Sequence, residues 1–446
     1  MRVIIVGGGE VGFALAQALS ARHDVVVIDH AAQAGDRFEP LDVEFVSGGG
    51  TSADTLRAAG VERADVFIGC TGLDEVNIVA CAMANQFGSP QTICFVSRED
   101  FLSAGGQQGL ERFGINRVIW PEAQLAADIA RIVAAPGAID AEEFAGGAVR
   151  LLEYRLEAGS QLTTGAIADL GLPHGSLLVA VRRGDSFFIP RGDSQLLPGD
   201  KAIIMGTPAA MEEVQRRLAA QIGTRSQFVT IIGGGDVGMR LAEGLDAAPG
   251  VQLRVIERDR ARGELLAGRL RRALVLNGDG TDLELLESED IGRSDVLVSV
   301  IDNDEKNLLA SLLGRQLGVR RIITRVSKRA NLRLFERVGV DVAISARGAA
   351  VASVLHQIEG GPSSLLAVLE QGEGRIIELQ VPAGFRARPL RDLEAPRDSI
   401  IGAILRDGGA IVPRGDDRLE PGDRVLVFST PAAAERVRDY FRTSGS

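Results

Sequence analysis

The residues best placed to do chemistry are two short glycine runs. Gly7-Gly8-Gly9-Glu10-Val11-Gly12 follows an apolar stretch, Val3–Val6, and opens a helical pattern over Val11–Ser20. In that setting each glycine does something different. Gly7 permits a tight turn, Gly9 lets the backbone approach a pyrophosphate, and Gly12 lets helix and strand pack closely. The helix start then turns its free N–H groups and the positive end of its dipole toward the phosphates. Asp29 ends the next apolar run, 20 residues after Gly9. A carboxylate there accepts hydrogen bonds from ribose hydroxyls and repels a 2′-phosphate, which favours NAD over NADP. Gly233-Gly234-Gly235-Asp236-Val237-Gly238 and Glu257 repeat the set. For this second copy the competing reading is a degenerate repeat that keeps the fold and has lost the ligand.

Thr71 follows the fourth apolar run, where a doubly wound sheet has its ligand crevice. Gly48-Gly49-Gly50-Thr51 forms the loop after the third run, at the expected adenine edge, and a turn without ligand contact is the alternative. Asp74, Glu75 and Asn77 begin the next helix, where the acids also suit plain N-terminal capping. An acid–base set for hydride transfer is missing. His23 and His30 flank the second strand, His174 and His356 lie in or near joints, and neither Tyr154 nor Tyr440 has a Lys four residues on. The expectation is a nucleotide binder rather than an enzyme, against the alternative of an NAD-dependent oxidoreductase.

The elements that hold these residues come twice. Gly7–Gly12 recurs 226 residues later, Val25–Asp29 answers Leu253–Glu257 at 228, and Ser47–Leu56 answers Asn277–Leu286 at 230, with Asp279 in that loop. Leu73–Asn77 answers Asn303–Asn307, again at 230, and Pro190–Asp193, Pro198–Asp200 and Thr207-Pro208 recur at 223. The chain therefore duplicates a two-domain unit. Strands near 2–6, 24–28, 43–47, 65–69, 91–96 and 117–119 alternate with helical patterns, the mark of a parallel sheet covered on both faces. Shorter strands near 148–156, 177–183, 186–190 and 201–206 follow, with one closing helix near 208–219. The fold class is α/β: two tandem doubly wound parallel-sheet domains, each followed by a small α+β domain. Boundaries are expected at 1–135, 140–222, 226–355 and 364–446, with joints near Pro136-Gly137, Gly223–Ser226 and Gly360–Pro362.

Composition limits the partners. With 446 residues, 45% of them apolar and 54 of them Gly, the chain has the material for several α/β cores. A net charge of −11 argues against nucleic acid and against direct adhesion to anionic lipid. Cys70, Cys81 and Cys94 are odd in number and lack metal or disulfide spacing, which points to a reducing compartment. No apolar run is long enough to span a membrane. The helices near Val76–Phe87 and Leu308–Leu317 are apolar on more than one face, which predicts packing between subunits.

The duplicated G-x-G-x-V-G, the acidic end of strand two, the G-D-G-T loop, the D-E-x-N helix start, Pro136–Ala138 and the P-G-D turns together resemble the TrkA family of Trk-type potassium uptake regulators, over nearly the whole chain. The resemblance implies tandem RCK units, each an RCK-N Rossmann domain followed by an RCK-C domain. It implies a homo-oligomer, a tetramer or ring of RCK domains. This would sit in the cytoplasm on the inner face of the plasma membrane, bound to a membrane-embedded potassium transporter subunit and gating it as nucleotide binds. A nucleotide sensor that stands alone is the alternative. The family often has Thr-Asn after strand four and Arg at the end of strand five. Here the first half has Thr71-Gly72 and Phe95, and the second has Ile301-Asp302 and Arg325. These departures predict NAD or NADH in the first half, and NAD(H) or ATP/ADP in the second.

Overall fold

The computed structural model describes residues 1–88, 90–98, 100–103, 106–184, 186–218, 227–328, 331–358, 363–369 and 373–443. The expected joints at 223–226 and 360–362, and the His356 side chain, lie outside the described residues. The chain opens with β1 (Arg2–Val6), α1 (Glu10–Leu19), β2 (Asp24–Asp29), β3 (Glu44–Ser47), α2 (Ala53–Ala58), β4 (Val66–Gly69) and α3 (Asp74–Phe87). It continues with β5 (Gln91–Phe95), α4 (Asp100–Ser103), α5 (Gly106–Glu111), β6 (Arg117–Ile119) and α6 (Pro121–Ala134). The six strands form one parallel sheet in the order β3-β2-β1-β4-β5-β6. Val3 to Val6 are all buried, because a parallel strand under helices on both faces has no polar side to show.

An antiparallel sheet follows, made of β7 (Ala138–Phe144), β8 (Val149–Arg155), β9 (Ser176–Arg183), β10 (Ser186–Phe188) and β11 (Lys201–Gly206) in the order β10-β9-β11-β8-β7, with α7 (Pro208–Leu218) behind it. In this sheet β7 is an edge strand that the sequence pattern does not announce. Its residues, Ala-Ile-Asp-Ala-Glu-Glu-Phe, carry three acids and no clean alternation.

The second half repeats both layers. Its parallel sheet takes β12 (Gln227–Ile232), α8 (Asp236–Asp246), β13 (Val251–Glu257), α9 (Arg260–Arg269), β14 (Leu274–Asn277), α10 (Leu283–Ser288) and β15 (Val296–Ser299). The same layer ends with α11 (Asp304–Gln316), β16 (Arg321–Arg325), α12 (Leu332–Arg337), β17 (Val342–Ile344) and α13 (Ala346–Ile358). The strand order β14-β13-β12-β15-β16-β17 matches the first half. The last layer has β18 (Ser363–Leu369), β19 (Gly374–Gln380), β20 (Arg388–Pro389), β21 (Ser399–Arg406), β22 (Gly409–Ile411), β23 (Arg418–Leu419), β24 (Arg424–Ser429) and α14 (Pro431–Thr443). Five of these strands pair as β18-β19-β24-β21-β22, and β20 pairs with β23.

The halves are not exact copies. Between β13 and β14 lies the full helix α9, but between β2 and β3 there is only a 3-10 segment, Ala32–Arg37. Gly35 sits in that segment, where a Cβ would come within 3.0 Å of the Phe45 ring. There the chain runs close over a Phe13–Phe38–Phe45 cluster.

The P-G-D turns brace the small domains. Gly199 and Gly422 stand at φ +90° and +89°, a region that favours glycine. The aspartates that follow are buried, and each receives a two-pronged Arg: Arg183 on Asp200 at 2.8 and 2.7 Å, and Arg406 on Asp423 at 2.7 and 2.7 Å.

The cores cross between the halves. Leu125, Ile129, Ile132 and Val133 of α6 share one apolar cluster with Val237, Leu241 and Leu245 of α8 and with Leu152 and Leu178 of the first small sheet. Leu15 and Leu19 of α1 share another with Ala350, Val354, Leu355 and Ile358 of α13. Ile203 and Met205 of β11 pack with Ile376, Ala403 and Phe428 of the second small sheet. Each parallel sheet therefore sends its last helix across to the first helix of the other. Trp120, just before α6, lies under Arg240 of α8, whose guanidinium carbon stands 3.4 Å from the ring centroid.

Asp128, Asp140 and Glu142 gather around Arg131 where α6 passes into β7. Burial, reinforced by Asp140, pushes the Glu142 carboxyl up to about 8. A carboxyl raised on folding favours the folded state while protonated, and that preference fades as pH climbs from the unfolded value to the folded one. Thermal stability should therefore decline between about pH 5 and pH 8. Glu142→Gln should flatten the decline in thermal scans across that range, and an unchanged slope would trace it to other groups.

Candidate functional site

The two glycine turns sit at the C-terminal edges of their sheets, where β1 passes into α1 and β12 into α8. Gly7 and Gly233 have φ +116° and +101°, and a Cβ on Gly7 would stand 2.9 Å from the Cys70 carbonyl oxygen. A Cβ on Gly12 or Gly238 would reach 1.8 Å from the carbonyl oxygen of Gly7 or Gly233, so the helix could not close on its strand. The middle glycines differ. A Cβ on Gly9 would meet nothing within 4 Å, and one on Gly235 would meet an Arg262 nitrogen at 3.8 Å. No close contact within the protein requires glycine at these two positions, and the space over each helix start stays open.

Asp29 and Glu257 hold the turns from below. Asp29 Oδ2 accepts the Gly8 N–H at 2.6 Å and its Oδ1 accepts that of Ala31 at 2.8 Å. Glu257 Oε2 accepts from Gly234 N at 2.6 Å and Oε1 from Asp259 N at 2.7 Å. Each carboxylate oxygen keeps a lone pair for a ribose hydroxyl. Glu10 and Asp236 open the two helices and are exposed, while Val11 and Val237 turn inward beside them.

Gly50 supports the loop after β3 by closeness: a Cβ there would lie 2.1 Å from Val6 Cγ1, and one on Gly280 2.1 Å from Ile232 Cγ2. Thr51 beside it is exposed. Gly72 has open space over its Cα. Thr71 is tied down by Asn77, whose Oδ1 accepts from Thr71 N at 2.8 Å and whose Nδ2 donates to Phe95 O at 3.0 Å. Asn307 makes the same bonds to Ile301 N and Arg325 O, at 2.8 and 3.0 Å. Asp74 and Asp304 accept the backbone N–H of Ser97 and Ser327. The D-E-x-N signature thus fastens the start of α3 and α11 to the ends of β5 and β16, a role that helix capping does not describe.

In the second half the predicted residues Gly233, Gly235, Asp236, Val237, Glu257, Asp279 and Arg325 line one cavity of about 460 Å³. Five further ionic side chains join them: Arg258, Arg262, Asp302, Lys306 and Glu122. Lys306 is the variable residue of D-E-x-N, and Arg258 and Arg262 follow Glu257 closely, so their charge is readable from the sequence. Glu122 is not, because it arrives on α6 from the first half. Burial raises its carboxyl above the usual range, against the pull of its own N–H and Arg325. Asp279 is held low by the Thr281 hydroxyl and amide and by Lys306. At the matching distances along the first half stand His30, Ala34, Val76 and Phe95. His30 is exposed beside Asp29, Nδ1 to Oδ1 3.3 Å.

Among the described residues no helix is long and apolar enough to cross a membrane. Residues 3–121 and 229–346 match the TrkA-N domain family, and residues 151–219 and 375–442 match the TrkA-C domain family. "Trk system potassium uptake protein TrkA homolog 1" of Methanosarcina mazei is 39% identical over 99% of this chain and 100% of its own length. The TrkA homolog of Archaeoglobus fulgidus is 36% identical, with 99% and 100% covered. The TrkA of Halomonas elongata is 30% identical, with 99% and 98% covered. The solved GsuK RCK domain has a TM-score of 0.62 at 20% identity, covering 99% of this chain and 95% of that one, which is a likeness of fold.

Proposed function

Because the chain belongs to the TrkA family, with TrkA-N and TrkA-C domains in tandem twice over, we propose that it is the cytoplasmic nucleotide-sensing regulatory subunit of a Trk-type potassium uptake system. It gates a membrane-embedded potassium transporter subunit and performs no catalysis of its own. The observation that carries this reading is the pair of open middle glycines, Gly9 and Gly235, each over a helix start and beside a carboxylate at the end of the second strand. The first half takes NAD or NADH through Gly7–Gly12 and Asp29, with Gly50, Thr51, Thr71 and Gly72 around it. The second half takes NAD(H) or ATP/ADP. Its lining differs in charge at six positions, four cations and the two aspartates Asp279 and Asp302, so the two sites do not share one preference. Nucleotide acts on transport only through its unequal affinity for the conformations of the assembly.

Calorimetric titration of the purified protein with NAD, NADH, ATP and ADP tests the binding, and potassium uptake by cells carrying the transporter with and without this chain tests the role. Absence of nucleotide heats, or uptake indifferent to the chain, would overturn the reading.

The working form is a homo-oligomer, a tetramer or ring. Val79 of α3 is 46% exposed, and Leu309 and Leu312 of α11 are 46% and 40% exposed. Apolar side chains on the outer face of a helix are covered in an assembly. Light scattering should find multiples of the 47.2 kDa chain, and replacing Leu309 and Leu312 together with Glu should shift the protein toward smaller species. A wild-type monomer at micromolar concentration would rule the ring out.

A further inference from the structure

Three of the four cations that line the second-half cavity are already engaged. Asp279 Oδ2 lies 3.3 Å from Lys306 Nζ and 3.7 Å from Arg258 Nη1. Asp302 Oδ1 lies 2.9 Å from Arg325 Nη2. These aspartates come from the loops after β14 and β15, on either side of the glycine turn. Arg262 stands over the turn itself, 3.8 Å from the place a Cβ on Gly235 would take. Among the described residues the buried Arg325 Nε meets no acceptor. A donor left dry and unmet is costly, and a ligand oxygen would satisfy it.

A carboxylate and a phosphoryl group offer the same two-oxygen face to a guanidinium or ammonium. We infer that Asp279 and Asp302 are internal stand-ins for phosphate: they hold Lys306, Arg258 and Arg325 around the space above Gly235, and a nucleoside di- or triphosphate enters by taking those cations from them. The inference rests on the reading of this turn as a nucleotide site. It deepens that reading by fixing the ligand class. Three ion pairs, on two aspartates, must open together, so the incoming group has to present several charges in a row. A monophosphate reaches the turn and Arg262 but not both flanking sets. A dinucleotide's diphosphate carries one charge on each phosphorus and exchanges poorly for two carboxylates. In the first half Gly72 and Gly49 replace the two aspartates, and Val76 and Phe95 replace two of the cations, so neither the barrier nor the grip exists there.

The test uses the full chain with Gly9→Asp, at a position where a Cβ would meet nothing within 4 Å, to block the first site's phosphate space, and titrates ADP, ATP and AMP by calorimetry. Asp302 is 85% exposed, so Asp302→Asn should fold normally. Loss of its competing charge should tighten ADP and ATP by about three- to fivefold, the scale of an exposed ion pair, and leave AMP unchanged. Arg325→Gln should weaken ADP and ATP by about tenfold or more. Unchanged or weakened ADP and ATP binding in Asp302→Asn would overturn the exchange, as would an equal gain for AMP. If no nucleotide gives heats that Gly235→Asp removes, the site reading itself fails, and that result is distinct from the others.

Discussion

Gly9→Asp should abolish NAD and NADH binding by the first half while leaving its thermal stability nearly intact, and Gly12→Ala should do the reverse harm. The two positions lie three residues apart in one turn and look alike in sequence. They differ in what a side chain would meet. A Cβ on Gly9 would meet nothing within 4 Å, so the new carboxylate projects into the space proposed for a diphosphate over the start of α1 and should repel it. At Gly12 even a methyl group falls 1.8 Å from the Gly7 carbonyl oxygen. The helix must move off its strand, at a cost of about 1–3 kcal/mol or more for overpacking. Calorimetry with NADH and a thermal melt on both variants check this. If Gly9→Asp kept its NADH affinity, the phosphates would lie elsewhere. Asp29 is a poorer probe, because it also pins Gly8 and Ala31, so removing it would disturb the turn along with the proposed ribose contact.

The turns, the sheet and the duplication were legible because their signals are local. Val3–Val6, Val25–Ile28 and Val66–Ile68 are unbroken apolar runs, which parallel strands buried on both faces require, and the glycine spacing is fixed by close contacts inside the turn. What escaped was either irregular or distant. The edge strand β7 is too acidic to show a period of two. The 3-10 segment Ala32–Arg37 stands where the second half forms α9, although both carry glycine at the matching position, Gly35 and Gly263. Asn77 reads as a helix-start residue, yet its side chain is buried and joins the ends of β4 and β5. Glu122 was invisible for a different reason. An amphipathic helix shows in its period which face is apolar, but not which domain will cover that face.

That last point has the widest consequence for stability. Ile129 is wholly buried on α6, and its cluster contains α8 residues of the other half. Leu56 is equally buried, but its cluster stays within the first parallel sheet. Truncating either to Ala should cost about 2–5 kcal/mol. The difference lies in where the cost is felt. Leu56→Ala should loosen the first half alone. Ile129→Ala removes cover from Val237, Leu241 and Leu245 as well, so it should loosen the helix that carries the second nucleotide turn. Two reporters separate these outcomes. Trp120 is the chain's one Trp and sits under Arg240 of α8, so its fluorescence follows the crossing point. Hydrogen exchange in β12–α8 follows the second half. Ile129→Ala should speed exchange there and shift the Trp120 signal at a lower temperature, and Leu56→Ala should leave β12–α8 protected. Equal protection of β12–α8 in the two variants would mean that the halves fold independently. In that case Glu122 would reach the second cavity without any mechanical coupling behind it.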